Sequence, residues 1–255
     1  MLRTAVVGAS GFTGVELLRI VDAHPDLEVV SASADASAGS GIADMHPSLV
    51  LAHGSESFSA VDVDALRGLD LVFLCLPHEA SLELAPQLVD QVGCVVDLSA
   101  AFRLTDTSAY PTYYGFEHSQ PELLERAVYG LPEVYRDQLR GARLIATPGC
   151  YVTAAVLALR PLVAGGLVED RGIIVDAASG VSGAGRPPKP NTTFCAVDED
   201  FTAYGLLNHR HTPEIEMAIG RHAGTDVQVL FTPHLAPMNR GILATCYARP
   251  RSMRP

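Results

Sequence analysis

The sequence has 255 residues, which is enough to bury a sizeable core in one large domain or two small ones. Its composition, 48% hydrophobic and 18% charged, is ordinary for a globular protein, and its net charge of −11 argues against nucleic acid or an anionic membrane as a partner. No apolar run approaches the ~18 residues that span a bilayer, and Gly8 interrupts the N-terminal run too early for a signal peptide, so we expect a cytoplasmic protein.

Residues 1–148 alternate strand and helix patterns. Short apolar runs predict strands at 2–7, 27–32, 71–76 and 94–98, and helical periodicity predicts helices at 12–23 and 79–92. Such alternation is typical of parallel strands joined by helical crossovers, so we predict an α/β, doubly wound parallel sheet. We predict a first domain over 1–148 and a second over 149–255.

The motif GASGFTG follows the first predicted strand and opens the first helix. Gly8 permits a tight turn, Gly11 lets the backbone approach a pyrophosphate, and Gly14 allows close packing of helix on sheet, as in dinucleotide-binding loops. The amides at the helix start then face the phosphates. The alternative is a purely structural turn. The candidate cofactor residues in this motif are Gly8, Ser10, Gly11, Phe12, Thr13 and Gly14.

The segment after the second predicted strand bears on the choice of cofactor. NAD-specific folds place an acidic ribose ligand there, but here Ser33 precedes Asp35, so the acidic residue is displaced. A 2′-phosphate is tolerated by such an arrangement, which favours NADP over NAD, although no arginine or lysine lies nearby.

Two further strand ends meet the same predicted edge of the sheet. Leu76 and Pro77 follow the third strand and are candidate cofactor contacts; an ordinary strand-to-helix turn is the alternative. Ser99 and Arg103 follow the fourth strand, where the arginine is a candidate to clamp a substrate carboxylate.

Among the five cysteines, which never form a CxxC pair, Cys150 alone has activating surroundings. Pro148 and Gly149 form a turn, and residues 151–162 form an apolar helix, so the cysteine lies at a helix N-terminus. Unpaired amides and the helix dipole favour a thiolate there, which is a nucleophile. Combined with the dinucleotide motif, this predicts an enzyme that holds an acyl group on sulfur and reduces it.

The second half has strand patterns at 171–178, 227–232 and 241–247, which we interpret as a mixed α/β substrate domain. The loop SGVSGAGR, 179–186, combines amides, hydroxyls and a guanidinium and is a candidate anion site; a connecting loop is the alternative. We assign its residues Ser179 and Gly180 to the cofactor, and Ser182, Gly183 and Arg186 to the substrate.

The motif HRHTPEI supplies two histidines, His209 and His211, that lie on one side of an extended segment. We interpret them as acid/base partners of Cys150; a surface histidine is the alternative, and no third ligand is evident for a metal, so we expect none. Tyr204 and Arg210 are further candidates for substrate contacts.

The motifs GASGFTG, LPHE, DLSAAFRL, YGLPE, TPGCY, SGVSGAGR and HRHTPEI occur in this order, and together they closely resemble the N-acetyl-γ-glutamyl-phosphate reductases of arginine biosynthesis. The resemblance implies an NADP-binding Rossmann domain, a second domain like that of glyceraldehyde-3-phosphate dehydrogenase, and a homotetramer. It also implies reduction of an acyl phosphate to a semialdehyde, with Cys150 as nucleophile, His209 as main base and His211 in the same pocket.

One departure concerns the end of the chain. The family continues beyond the MNRG segment, 238–241, with further strands and a helix that covers the nicotinamide, whereas this sequence ends after ARPRSMRP, which we expect to be frayed. We therefore expect a C-terminally truncated catalytic domain. Two other functions stay open: another acyl-phosphate reductase, such as an aspartate-semialdehyde dehydrogenase, and a non-catalytic dinucleotide-binding protein.

Overall fold

The computed structural model describes residues 1–251. Its contacts divide the chain into two units: residues 1–105 with 118–148, and residues 106–117 with 149–255. The sequence-based boundary between 148 and 149 did not anticipate that residues 106–117 belong with the second unit. Most of the end that we expected to be frayed, 252–255, lies outside the described residues.

The first unit contains a sheet of six parallel strands in the order β2-β1-β3-β4-β6-β5. The strands are β1 (Leu2–Val7), β2 (Leu27–Ser33), β3 (Leu71–Leu74), β4 (Cys94–Asp97), β5 (Val128–Tyr129) and β6 (Leu144–Ala146). The chain leaves β1 toward β2 and returns to β3 on the other side of β1, so the direction of winding reverses between β1 and β3. Ligands of doubly wound folds bind at the carboxyl edge beside such a reversal.

The helices of the chain begin with α1, whose Val15, Leu18 and Val21 recur at helical spacing and are buried. In chain order they are α1 (Phe12–Asp22), α2 (Ile42–Met45), α3 (Val50–His53), α4 (Val63–Leu66), α5 (His78–Leu88), α6 (Ala109–Tyr114), α7 (Pro121–Arg126), α8 (Pro132–Leu139), α9 (Cys150–Ala164), α10 (Phe194–Val197) and α11 (Thr212–Ala223). Of these, α6 and α9 to α11 belong to the second unit.

The second unit contains a mixed sheet in the order β10-β7-β9-β8. Its strands are β7 (Ile173–Ser179), β8 (Thr202–Ala203), β9 (Val229–Leu235) and β10 (Ile242–Tyr247). Only the β7–β9 pair is parallel. Helices α9 and α11 pack on each other and on this sheet. The predicted α/β class, with a doubly wound parallel sheet and a second mixed domain, is confirmed.

Two features are absent from the described residues, 1–251. No helix in this part of the chain is long and apolar enough to cross a membrane. Nor does this range contain a group of three or more His, Cys, Asp or Glu side chains arranged to hold a metal ion.

Candidate active site

Cys150 is the first residue of α9 and is exposed. Gly149 is the N-cap with extended backbone (φ −63°, ψ 153°), and its carbonyl accepts the Thr153 amide at 2.8 Å. The thiol therefore lies beside the amides of the first helical turn, as predicted. By contrast, burial raises the pKa of the Cys75 thiol to about 12 and also raises the pKa of the Cys94 thiol, which makes both poor nucleophiles.

The imidazole of His211 packs directly against Gly149. A Cβ atom built on Gly149 would lie 2.5 Å from Nε2 of His211, closer than any real contact. His211 is only 7% exposed, so its ring has little room to move away. Because residue 149 is glycine, the His211 imidazole fits against the backbone immediately before Cys150.

Glu214, whose contact was not predicted from the sequence, binds the backbone of the same residue, Gly149. Its side chain is completely buried, and Oε1 accepts a hydrogen bond from the Gly149 amide at 3.0 Å. Glu214 lies one turn after His211 at the start of α11, so a single helical turn supplies both contacts with Gly149. The sequence signal for this contact is the three-residue spacing of His211 and Glu214, which places both residues on one face of the predicted helix.

His209 has a different environment from His211. Its Nδ1 accepts the backbone amide of His211 at 3.1 Å, so this nitrogen carries no proton. Its ring packs edge-on against Tyr151, with 5.7 Å between the ring centroids. Burial, with a smaller contribution from the charge of Arg210, lowers the pKa of His209 to about 4. The side chain is thus neutral at physiological pH.

Tyr204 joins this cluster through Tyr151. The two hydroxyls share a hydrogen bond at 2.9 Å, and the Tyr151 hydroxyl donates to the His234 carbonyl at 3.2 Å. Burial raises the pKa of both phenols, so they act as neutral donors. Arg210 is exposed, and its backbone carbonyl accepts a hydrogen bond from the Tyr114 hydroxyl at 3.3 Å.

The glycine- and serine-containing loop after β7 is only partly accessible. Ser179 is 6% exposed, and its hydroxyl donates to the Gly180 carbonyl at 3.0 Å. Gly180 lies against the backbone of residue 240: a Cβ there would be 2.6 Å from the Arg240 nitrogen. Ser182 is half-buried in a short 3₁₀ turn, whereas Gly183 and Arg186 are exposed. The exposed end of the loop is therefore the part that an anion can reach.

In the first unit, the glycines of the dinucleotide motif occupy positions that exclude larger residues. Gly8 has φ +82°, and a Cβ there would lie 2.3 Å from the Cys75 carbonyl oxygen. A Cβ on Gly14 would lie 2.5 Å from the Cα of Ala9. The motif thus forms a tight turn at the reversal point between β1 and β3. Ser10 and Gly11 are half-buried, while Phe12 and Thr13 are exposed at the start of α1.

Residues of β2 and of the segment after β3 surround this turn. The Ser33 carbonyl accepts the amides of Gly8 at 2.8 Å and Ala9 at 2.9 Å. The Ser33 hydroxyl is buried and has no hydrogen-bond partner among the described residues. Leu76 lies 3.2 Å from the position of a Cβ on Gly8, and Pro77 is the exposed N-cap of α5. Gly8 and Gly14 occupy positions where only glycine fits, and the buried Ser33 hydroxyl nearby has no hydrogen-bond partner among the described residues. Both features fit a bound dinucleotide.

Ser99 and Arg103, predicted to contact the substrate, both make hydrogen bonds within the first unit. The Ser99 hydroxyl donates to Asp97 at 2.8 Å and accepts the Ala101 amide at 3.0 Å. Arg103 is 8% exposed and donates to the carbonyls of Thr147 at 2.6 Å and Leu98 at 2.9 Å. These contacts hold the loop after β4 in place, and the substrate role of Arg103 stays a prediction.

In comparison with known proteins, one family model matches the first part of the chain and another matches the second part. The family model described as "Semialdehyde dehydrogenase, NAD binding domain" matches residues 3–142, and "Semialdehyde dehydrogenase, dimerisation domain" matches residues 150–254. The N-acetyl-gamma-glutamyl-phosphate reductase of Symbiobacterium thermophilum is 49% identical over 96% of this chain and 71% of its own length. That of Geobacter sulfurreducens is 46% identical over 98% of this chain and 72% of its own length.

Solved structures of lower identity share the fold. Aspartate semialdehyde dehydrogenase II from Vibrio cholerae, complexed with ASA, is 16% identical, with a TM-score of 0.70 over 99% of this chain and 75% of that chain. The aspartate semialdehyde dehydrogenase with NADP from Candida albicans is 14% identical, with a TM-score of 0.69 over 100% of this chain and 73% of that chain.

Proposed function

The chain belongs to the N-acetyl-gamma-glutamyl-phosphate reductases, and we propose that it reduces N-acetyl-glutamyl 5-phosphate to N-acetyl-glutamate 5-semialdehyde and phosphate, with NADPH, in arginine biosynthesis. The observation that carries this proposal is the exposed Cys150 at the start of α9. The residue before it, Gly149, contacts the His211 ring and donates its amide to Glu214.

In this proposal His211 is the base for Cys150, and His209 supports it. The contact of His211 with Gly149 favours this order, because the Nδ1 of His209 is already an acceptor for the His211 amide. His211 removes the thiol proton, and the sulfur attacks the acyl carbon. A C–S bond forms, the bond from carbon to the phosphate oxygen breaks, and phosphate leaves with a solvent proton. A covalent thioester divides one difficult substitution into two easier steps.

When bound, NADPH would supply the hydride for reduction of this thioester. Amides of the first turn of α9 stabilise the tetrahedral oxyanions that form before and after reduction. When the C–S bond breaks, the aldehyde is released and His211 returns its proton to the sulfur. Glu214 holds the Gly149 amide throughout, which keeps the N-terminus of α9 oriented toward the reacting carbon.

For the cofactor, we propose that the glycine motif and the start of α1 hold the pyrophosphate. Ser33, whose buried hydroxyl lacks a partner among the described residues, and Leu76 and Pro77 lie at the same edge. The displaced Asp35 supports NADP as the dinucleotide. Ser179 and Gly180 stay candidates for cofactor contacts through their backbone, since the Ser179 hydroxyl is engaged.

For the substrate, we propose that Ser182, Gly183 and Arg186 bind the leaving phosphate, because the loop end that carries them is the accessible part. Arg210 and Tyr204 are candidates for the polar groups of the acyl chain. The roles of Ser99 and Arg103 in substrate binding stay predictions, and their engaged side chains favour an indirect role. We also propose a homo-oligomer, tetrameric by family resemblance, in the cytoplasm.

The decisive experiment measures NADPH oxidation by the purified protein with N-acetyl-glutamyl 5-phosphate, or the reverse reaction with the semialdehyde, phosphate and NADP. We expect turnover that Cys150→Ser abolishes and Cys195→Ser, at another exposed cysteine, leaves intact. A parallel assay with β-aspartyl phosphate tests the alternative substrate. Turnover of the aspartyl substrate alone would replace the proposed specificity, and NADPH binding without turnover of either substrate would favour the non-catalytic function.

A further inference from the structure

The dinucleotide motif is held from the side by a histidine outside the motif. Nε2 of His46 lies 3.2 Å from the Ser10 carbonyl oxygen, and the His46 side chain is buried. A carbonyl only accepts, so Nε2 is the donor and carries the hydrogen. We propose that His46 is a positioning residue for the dinucleotide cofactor, which it serves by fixing the Ser10–Gly11 peptide of the phosphate-binding turn. This inference rests on the cofactor site of the proposed function.

The effect of His46 on the turn follows from the geometry of one peptide group. A trans peptide directs its C=O and N–H to opposite sides. His46 holds the C=O of Ser10, and the Gly8 carbonyl accepts the Gly11 N–H at 3.3 Å, so both ends of this peptide are engaged. Gly11 is the N-cap of α1, and its orientation therefore sets the direction of the amides that follow at the helix start.

The other side of the turn is held by Ser33, whose carbonyl binds the amides of Gly8 and Ala9. Ser33 thus holds the amides of Gly8 and Ala9, and His46 holds the Ser10–Gly11 peptide of the same turn. A turn that is fixed before the cofactor arrives does not have to be ordered during binding, which preserves affinity.

The sequence around His46 explains why the ring stays in place. Pro47 disfavours helical backbone at the preceding residue, so α2 ends at Met45, and its C-cap His46 has φ −132° and ψ 79°. The ring lies edge-on to Phe58, with 6.1 Å between ring centroids. Phe58 belongs to the buried cluster that also contains Ala9, within the glycine motif, and Val15, in α1.

Replacement of His46 by Leu and by Gln separates positioning from packing. Leu removes the donor, while the amide nitrogen of Gln occupies the place of Nε2 and still donates. We expect His46→Leu to raise the Kd and KM for NADPH about fivefold, the size of one lost hydrogen bond, with kcat changed by less than about twofold. His46→Gln is expected to bind within about twofold of the parent protein. Kd is measured by NADPH fluorescence titration, without substrate.

Two controls complete the experiment. His53→Gln alters another buried histidine of the same unit whose partners are Asp22 and Glu56, so it should lower stability without changing the Kd for NADPH. Gly11→Ala adds a methyl that meets only the Gly8 carbonyl oxygen at 3.6 Å, so it folds but obstructs the phosphate.

The outcomes separate the two hypotheses. If Gly11→Ala weakens NADPH binding while His46→Leu does not, the cofactor site stands and the role of His46 is refuted. Equal weakening by Leu and Gln would assign His46 to packing and likewise refute it. Unchanged binding by Gly11→Ala would overturn the cofactor site itself, and with it the present inference.

Discussion

Gly149 separates the imidazole of His211 from the backbone that carries Cys150. Its φ of −63° is accessible to any residue, so the requirement for glycine is steric rather than conformational. Gly149→Ala would place a methyl 2.5 Å from Nε2 of a buried ring and must displace it. We expect kcat to fall by about 10²-fold, as for loss of an acid/base group, while the Kd for NADPH is unchanged. Retention of full activity would remove His211 from the proposed mechanism.

Replacement of His211 and of His209 by Asn should lower activity to different extents. His211→Asn removes Nε2, and kcat/KM should fall by ~10²–10⁴-fold. His209→Asn keeps an acceptor for the His211 amide, so we expect a loss of less than about tenfold. Steady-state assays compare the two variants, and a larger loss for His209→Asn would restore the assignment that the family resemblance implies.

The depressed pKa of His209 has a separate, spectroscopic consequence. Burial and the charge of Arg210 lower the pKa of His209 to about 4, so the unfolded chain binds this proton more readily than the folded chain does. In the folded protein the ring therefore stays neutral as the pH falls through the usual range of histidine pKa values. We expect its NMR ring signals to be constant from about pH 8 to about pH 5.5. A titration midpoint near 6.5 would show that the ring is solvated.

At the scale of elements, His53 connects the end of α1 to the segment after α3. Its ring nitrogens lie 2.9 Å from Asp22 and 2.9 Å from Glu56. Burial alone lowers the pKa of His53, but the hydrogen bonds and charges of Glu56 and Asp22 outweigh it, and the net pKa is raised. The protonated ring therefore stabilises the folded state below the unfolded pKa, and this contribution is lost as pH rises through the folded pKa.

Urea denaturation at several pH values tests this linkage. We expect the difference in unfolding free energy between the parent protein and His53→Gln to shrink from about pH 6 to about pH 8. His24→Gln, at an exposed histidine, serves as the control for general effects of histidine loss. A difference that is constant with pH would mean that folding does not change the pKa of His53.

At the scale of the whole molecule, one face of the mixed sheet carries exposed apolar side chains. Ile174 pairs with Tyr247 on one neighbouring strand and with Leu230 on the other, so the three share a face. They are 36%, 54% and 47% exposed, respectively. A contiguous apolar face of this kind is typical of an interface, which supports the proposed oligomer.

Sedimentation velocity tests the oligomer. We expect the parent chain to sediment as a dimer or larger species, and Leu230→Lys to shift it toward monomer, because a buried lysine without a partner opposes association. Leu51→Lys is the matched control, since Leu51 is 99% exposed and lies in the other unit. A monomeric parent chain would contradict the proposal.

The sequence by itself determined the features that depend on a few neighbouring residues. Apolar periodicity placed α1, α9 and the longer strands, and turn residues placed Gly8 in the turn after β1 and Cys150 at a helix start. Strands β5 and β8 escaped prediction because two residues are too short to show a period. Motif order also identified the family.

Tertiary structure alone decided which distant groups meet at the site. Packing of α11 on α9 brings Glu214 to Gly149 across 65 residues and selects His211, rather than His209, for the contact with Gly149. The folded chain likewise turned Arg103 toward backbone carbonyls instead of solvent. Local patterns follow from backbone geometry over one or two turns, whereas these contacts follow from how whole elements pack, and residue spacing carries no direct record of that packing.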